Sequence, residues 1–175
     1  TIRHRFEDCL TIPPNTKKII YTDLSKKQEK AYNELKRDAL LELDNGDYLE
    51  AIHAGVLVKK LLQVASGAVY DNEGTSHVID TARYELIMSL IKERTHSIVA
   101  FNWTHERDAL CELADKEGLT FAVIDGSVSI SERTEIVKHY QKGAYQVLFA
   151  HPQSAAHGLT LTKGVTTIWA SPTYN

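Results

Sequence analysis

Cysteine is scarce in this sequence, and its scarcity argues against two kinds of cross-linked protein. The 175 residues include only Cys9 and Cys111, which lie far apart and form no CxxC pair. A disulfide framework or a structural zinc site needs more thiols at closer spacing. His151 and His157 could in principle bind a metal, but we interpret them as loop or packing histidines. We therefore expect no metal site, and we expect the reducing cytoplasm as the compartment.

Long apolar runs and a secretory leader are missing as well. No stretch reaches the roughly 20 apolar residues that span a bilayer, and no signal peptide is visible at the start. We therefore expect no membrane partner. The chain also opens without methionine and stops at "IWASPTYN". We therefore expect it to be a piece of a longer protein.

An excess of basic residues is also absent. The formal net charge is −3 at pH 7, and the isoelectric point is near 6.2. Modules that bind nucleic acid chiefly through charge carry clustered Lys and Arg, so the composition argues against a constitutively basic module. Residues 1–37 nevertheless hold nine basic residues against five acidic ones, a bias that a solvated surface explains equally well.

The first 79 residues predict a lead-in followed by a helical hairpin. Residues 1–24 are the predicted lead-in. Within it we predict residues 10–24 to be extended with one short strand, because Pro13 and Pro14 forbid helix there. The capping box "SKKQ" opens a helix that runs through "LLEL". The breaker "DNGD" ends it, and a second helix is predicted from about Tyr48 to Ser66. A turn-rich connector completes the hairpin region, residues 25–79.

From residue 80 onward, short apolar strands alternate with helices. Continuous apolar strands of this kind are typical of a buried parallel sheet with right-handed crossovers. We therefore expect an α/β fold with three layers, α/β/α, over residues 80–175. The predicted strands are 97–101, 121–124, 147–150 and 166–170, and the predicted helices are one around Leu86–Ile91, 104–117 and 130–141.

Ligands of such sheets bind at the loops that leave the carboxyl ends of the strands, and three of these loops carry suitable residues. Asn102 and Trp103 offer an amide and a stacking face. Gly126 and Ser127 precede a helix N-terminus that presents backbone N–H groups to an anion. Ser154 lies among small residues that a large ligand could approach closely. A tryptophan at a helix start also often covers the core, and small residues also allow tight packing.

Five blocks occur in the order and spacing of one known family. They are "LTIPPNTKKIIYTDLSKKQEKAYNEL", "LVKKLLQVASGAVYD", "SIVAFNWTHERDAL", "IDGSVSISERTEIVKHYQKG" and "VLFAHPQSAAHGLTL". As a set they resemble the second RecA-like lobe of superfamily 2 helicases, specifically of the SWI/SNF-type DNA-dependent ATPases. The form "HPQSAAHGL" is similar to short versions found in bacteria and bacteriophages. The resemblance covers about residues 10 to 175 and implies a RecA-like parallel sheet flanked by helices.

The resemblance also implies roles for individual residues. Ser154 stands where the family contacts a nucleic-acid phosphate, and Arg133 where it binds a phosphate or orients the lobes. Lys163, near the exit of the last block, could reach a phosphate. The implied DNA-binding residues are Asn102, Trp103, Gly126, Ser127, Arg133, Ser154 and Lys163, and the implied ATP-facing residues are Gly158, Leu159 and Thr160.

Three positions in the last block depart from the family pattern. Pro152 stands where many relatives have Thr, and Thr160 where many have Asn. Ala155 or Ala156 occupies a position that is often Gly. Alanine costs little in helical backbone but is strained at positive φ, so the backbone there decides whether these departures matter.

The resemblance implies the second motor lobe of an ATP-dependent DNA translocase or helicase. ATP and Mg²⁺ would be cofactors of the full-length protein, duplex DNA would be favoured over single strands, and an N-terminal RecA-like lobe would be the partner. The chain has no GxxxxGK[ST] and no Asp-Glu-x-His, so it lacks the phosphate cradle and the Mg²⁺ carboxylate. The family's next arginine motif would begin shortly after Asn175. We therefore expect the isolated chain to bind no cofactor alone and not to hydrolyse ATP.

Two other functions stay open on this evidence. One is a strand-separating DNA or RNA helicase of the same superfamily, which the choice of stimulating nucleic acid would distinguish. The other is a degenerate lobe that acts as a non-enzymatic DNA- or protein-binding module. A GxxxxGK[ST] motif before Thr1 and a Gln…Arg…Arg pattern after Asn175 would argue against that module.

Overall fold

Helices and strands alternate along the chain in a computed structural model that describes residues 16–43, 46, 48–50, 53–155 and 159–171. The helices are α1 (Lys26–Asp38), α2 (Ala54–Ser66), α3 (Ala82–Lys92), α4 (Thr104–Lys116), α5 (Ile130–Gln141) and the single turn α6 (Pro152–Ala155). The strands are β1 (Leu40–Glu42), β2 (Tyr48–Glu50), β3 (Ala68–Tyr70), β4 (Ser76–Val78), β5 (Ser97–Ala100), β6 (Phe121–Ile124), β7 (Val147–Ala150) and β8 (Thr166–Trp169).

The hairpin region differs from its prediction at the turn between its helices. Helix α1 begins with the predicted Ser25–Gln28 capping box, but it ends at Asp38 because Ala39 adopts a left-handed conformation with φ 52°. Strands β1 and β2 then pair antiparallel, where the sequence predicted the end of one helix and the start of the next. Gly46, with φ 86° between the strands, favours this chain reversal. The second helix therefore starts at Ala54 instead of Tyr48.

The two long helices of this region pack on each other. Leu35 of α1 and Val64 of α2 are fully buried in one apolar cluster that also takes in Val69 of β3. The side chain of Gln28 donates to the carbonyl oxygen of Val64 at 3.1 Å and ties the start of α1 to α2. Residues 16–25 form neither helix nor strand, so the strand predicted in the lead-in is absent there, and residues 1–15 lie outside the described residues.

The second part of the described chain is a four-stranded parallel sheet in the order β6-β7-β5-β8. Its strands begin and end within one residue of the predicted bounds. Alternate residues point to opposite faces: Val99 and Phe149 pack with α3 and α4, whereas Ile98 and Leu148 pack with α5. Both faces are thus covered by helices, and the expected α/β/α layering of a RecA-like sheet is confirmed.

The helical region and the sheet meet through a small network of buried hydrogen bonds. The Tyr84 hydroxyl of α3 donates to the carbonyl oxygen of Ser66 at 2.6 Å. The Ser66 hydroxyl lies 3.0 Å from Nε2 of His105 in α4, and the backbone N–H of His105 donates to the Tyr70 hydroxyl at 2.9 Å. His105 is only 7% exposed, and burial lowers its pKa from 6.5 to about 4, against a smaller opposing effect of Asp108.

The buried His105 makes stability depend on pH. Its pKa is lower in the folded chain than in the unfolded chain, so the unfolded chain takes up a proton first as the pH falls. We expect the free energy of unfolding to fall by about 2–3 kcal/mol between pH 7 and pH 4.5 through this group. Urea denaturation at both pH values would measure the loss. The variant His105→Gln should lose less than the wild-type chain, and an equal loss would exclude His105 as the cause.

No helix among the described residues is long and apolar enough to cross a membrane.

Candidate nucleic-acid interface

All four parallel strands end at one level and bring their following loops together. Ala100 is the register partner of both Ala150 and Trp169, and Ile124 is the partner of Ala150. The residues after these strand ends form what we term the carboxyl edge. They are Asn102 and Trp103 after β5, Asp125–Ser127 after β6, His151–Ala155 after β7, and Ala170 and Ser171 after β8.

A buried carboxylate holds two of these loops in place. Oε2 of Glu106 accepts hydrogen bonds from the backbone N–H groups of Asn102 (2.9 Å) and Trp103 (3.1 Å) and from the Ser171 hydroxyl (3.0 Å). Nδ2 of Asn102 also donates to the carbonyl oxygen of Ser171 at 3.1 Å. Glu106 is fully buried, and burial raises its pKa despite these hydrogen bonds. The loops after β5 and β8 are therefore tied together.

A second carboxylate organises the loop after β6. Oδ1 of Asp125 accepts from the Ser127 hydroxyl (2.6 Å) and backbone N–H (2.9 Å), and Oδ2 pairs with Arg107 at 2.7 Å. The Ser127 hydroxyl and the Arg107 guanidinium lower the pKa of Asp125 to about 2. The Ser127 donors thus already have an acceptor, and a phosphate would have to compete with Asp125 for them. Gly126 is exposed, with open space beside its Cα.

Arg133 lies beside this loop, in the first turns of α5. Its Nη2 atom lies 3.4 Å from the carbonyl oxygen of Val128, a long hydrogen bond. Its Nε is buried and has no partner among the described residues. The Ser129–Glu132 capping box that opens α5 is present as predicted. Arg133 is therefore close to the carboxyl edge and holds donor capacity that the fold does not use.

The backbone after β7 shows whether Pro152 and Ala155 are strained. Pro152 is the first residue of α6, where a missing N–H costs nothing. Ala155 is helical, and among the described residues Ala39 is the one non-glycine with positive φ, so Ala155 carries no such strain. Ser154 is half-buried, and its N–H donates to the carbonyl oxygen of His151 at 2.9 Å. Ala156, His157 and Gly158 lie outside the described residues.

The chain next crosses the sheet face and leaves the carboxyl edge. Leu159 packs with α5 on that face, and Thr160 is exposed. The backbone N–H of Lys163 donates to Oε1 of Gln141, the last residue of α5, at 2.8 Å. Because α5 ends at the amino-terminal edge of the sheet, Lys163 lies at the edge opposite the other candidate residues. The structure does not bring it together with them.

The Trp103 ring lies near helix α2. The Nζ atom of Lys59 lies 5.9 Å from the centroid of its ring, and its indole N–H is buried without a partner among the described residues. Lys59, Glu106 and Arg107 were not predicted from the sequence. The spacing of Trp103 and Glu106 matches the N-cap and N3 positions of a helix start, so it was the one signal that could have revealed Glu106.

No three His, Cys, Asp or Glu side chains in the described part of the chain lie together in an arrangement that could hold a metal ion.

Two known proteins have sequences similar to this chain. The chain is 29% identical over 150 residues to putative protein p41 of Acyrthosiphon pisum secondary endosymbiont phage 1, covering 83% of this chain and 30% of the phage protein. It is 36% identical over 92 residues to SNF2 domain-containing protein ENL1 of Oryza sativa subsp. japonica, covering 51% of this chain and 9% of that protein. The chain therefore spans less than a third of the length of these relatives.

A solved structure, the C-terminal part of the Fun30 ATPase domain, matches with a TM-score of 0.46 and 18% identity, over 54% of this chain and 31% of that one. The helicase conserved C-terminal domain matches residues 82–175, more than half of the chain and all four strands of the parallel sheet. The SWI/SNF-type resemblance of the motifs fits these relatives. The chain belongs to the helicase conserved C-terminal domain family.

Proposed function

We propose that the chain is the second motor lobe of an ATP-dependent DNA translocase, in which it grips the nucleic-acid backbone and completes an ATP site shared with a first lobe. The observation that carries the proposal is the carboxyl edge itself. In this chain of the helicase family, the strands that precede Asn102, Ser127 and Ser154 all end at one level of a parallel sheet. Open α/β sheets bind their ligands at the loops that follow such strand ends. The similarity to a rice protein with an SNF2 domain supports the SWI/SNF type.

The grip would act mainly on phosphates. In the described part of the chain, Arg133 lies beside the edge with an unpartnered Nε and only a long hydrogen bond from Nη2 to Val128, and Ser154 and the Asn102–Trp103 loop belong to the same edge. Contacts to phosphates position a nucleic acid without selecting its sequence, which is what a translocase needs. Because the net charge of the chain is −3, binding by this lobe alone should be weak and sensitive to salt.

The proposed role towards ATP rests on the segment that follows α6. The exposed Thr160 hydroxyl is available to a ligand, whereas Leu159 is partly buried against α5 and would hold the segment in place. Gly158 lies outside the described residues. When bound between the lobes, ATP would supply the phosphoryl transfer that drives closure and opening. We propose that the first lobe holds the accompanying Mg²⁺.

The experiment that tests the proposal is ATP hydrolysis by the full-length protein without nucleic acid and with duplex DNA, single-stranded DNA or RNA. We expect duplex DNA to stimulate most. Preferential stimulation by single strands or RNA would favour a strand-separating helicase. Absence of hydrolysis under every condition would leave a non-enzymatic binding module. The 175-residue chain alone, run in parallel, should show no turnover, because it lacks the GxxxxGK[ST] cradle.

Substitution of Arg133 tests the grip directly. We expect Arg133→Ala to lower the DNA-stimulated rate at subsaturating DNA about tenfold, because it removes charged hydrogen bonds worth roughly 1.5–3 kcal/mol to a phosphate. The rate without DNA should stay unchanged. The matched control is Arg37→Ala, since Arg37 is an exposed arginine that pairs with Asp38 on α1. An equal effect of both variants would remove Arg133 from the interface.

A further inference from the structure

A cleft opens between α2 and the loop after β5, next to the Asn102–Trp103 end of the carboxyl edge. Its volume is about 370 Å³, within the range of about 300–1,000 Å³ that is typical of small-ligand sites. The cleft is thus large enough for a nucleotide-sized group. It is lined by one face of α2, by Tyr70 and Asp71, and by the start of the loop after β5.

One face of α2 supplies a cationic wall. Val56, Lys59, Lys60 and Gln63 follow the spacing i, i+3, i+4 and i+7, which places four side chains on one face of a helix. The wall is anchored to strand β3. Nζ of Lys60 donates to the carbonyl oxygen of Tyr70, and the N–H of Tyr70 donates to Oε1 of Gln63 at 3.3 Å.

The positive charge of this wall is not neutralised. Among the described residues, neither Lys59 nor Lys60 has a carboxylate oxygen within 4.0 Å. Of the residues that the structure describes, Asp71 is the one acidic residue in the cleft lining. Its carboxylate already accepts from the N–H of Thr75 at 2.8 Å and lies 2.9 Å from Nε2 of His77. Burial and the neighbouring Lys59 charge lower the pKa of Lys60, so a bound anion would relieve their repulsion.

The opposite wall carries an aromatic ring and an amide. Trp103 and Asn102 line it, and the loop that bears them is held by Glu106. Lysines and an indole that line one cleft are the components with which proteins bind single nucleotides of a strand, because the cations contact phosphate and the ring contacts a base.

We propose that this cleft binds a phosphodiester group of the nucleic acid, with Lys59 and Lys60 as the phosphate contacts and Trp103 as the wall that faces the base. The proposal rests on the proposed function, since it extends the grip of the carboxyl edge to α2. A free nucleotide would offer the same phosphate chemistry, so the test must separate the two sources.

The test is a titration of the 175-residue chain with a fluorescently labelled oligonucleotide, single-stranded and as a duplex, at several salt concentrations. We expect Lys59→Gln to weaken binding severalfold at low salt and to reduce the slope of log K against log[salt] by about 0.7–0.9, the value for one lost phosphate contact. Lys116→Gln is the matched control because Lys116 is an exposed lysine on α4 that pairs with Glu112. It should keep the wild-type slope.

The fluorescence of Trp103 gives a second readout. In a Trp169→Phe background, Trp103 is the one tryptophan left. We expect an unlabelled oligonucleotide to change its emission and ATP at the same phosphate concentration to leave it unchanged. A response to ATP alone would overturn the assignment to nucleic acid.

The outcomes separate the two proposals. If the wild-type chain binds the oligonucleotide and Lys59→Gln keeps its full salt slope, the cleft proposal is wrong while the proposed function stands. If Arg133→Ala weakens binding in the same assay and Lys59→Gln does not, the grip is confined to the carboxyl edge. If the wild-type chain binds no nucleic acid at any salt concentration, the cleft proposal is wrong, and ATP hydrolysis by the full-length protein with and without duplex DNA decides the proposed function separately.

Discussion

Gly67→Ala should lower the free energy of unfolding by about 4 kcal/mol, because it combines backbone strain with a collision. Gly67 ends α2 with φ 114°, a conformation that residues with a Cβ rarely adopt. A Cβ there would lie 2.4 Å from the backbone oxygen of Asp80. The backbone at Asp80 is held in place, because the N–H groups of Ile79 and Asp80 both donate to the carbonyl oxygen of Gly67.

Urea denaturation with Gly74→Ala as the control separates the collision from the strain. Gly74 also has positive φ, 88°, but a Cβ there would meet open space. We expect that variant to lose only about 1 kcal/mol, the cost of a left-handed alanine. Equal losses in the two variants would show that Asp80 moves away freely and that the join between α2 and β3 is not tightly packed.

Glu106→Ala should cost a similar amount, about 4 kcal/mol, because it leaves several buried donors without an acceptor. The N–H groups of Asn102 and Trp103 and the Ser171 hydroxyl all donate to Oε2 of Glu106. Glu106→Gln keeps an acceptor oxygen of the same shape and should lose much less. Glu112→Ala on the same helix should change stability by less than about 0.5 kcal/mol, since Glu112 is exposed.

The pH dependence of these variants identifies the Glu106 carboxyl itself. Burial raises its pKa in the folded chain above 4.5. The raised pKa of Glu106 therefore adds to the free energy of unfolding fully below pH 4.5, and this addition is lost as the pH rises through the folded-state pKa. Glu106→Gln, measured against the wild-type chain by urea denaturation, should lack this loss. If the free energy of unfolding changes with pH in the same way for Glu106→Gln and the wild-type chain, the Glu106 carboxyl is not the titrating group.

The pattern of helices and strands could be predicted from the sequence because it depends on short-range features. The capping boxes at Ser25 and Ser129 lie where helices α1 and α5 begin, and each apolar run after residue 80 is a strand of the parallel sheet. The β1–β2 hairpin was missed because the helical spacing of "DALLEL" continues past Asp38. The end of helix α1 is decided by one left-handed residue, Ala39, and by strand pairing with residues six to ten positions away.

The candidate site could be predicted only as a set of loops. Because parallel strands share one carboxyl edge, Asn102, Ser127 and Ser154 were expected near each other, and the structure places them at that edge. Lys163 was predicted from its place in a motif. The chain after this motif crosses the sheet face, so Lys163 lies at the edge opposite the other candidate residues.

The sequence by itself determined the family, the order of the elements and the loops that carry the candidate residues, since each follows from local periodicity or from a motif. Only the tertiary structure decided which polar groups are buried and which are paired. Glu106 and Asp125 are ordinary surface-type residues in the sequence, yet one is fully desolvated and the other is held by Arg107. Desolvation and charge pairing depend on neighbours from distant segments, as does the cleft between Lys59 and Trp103.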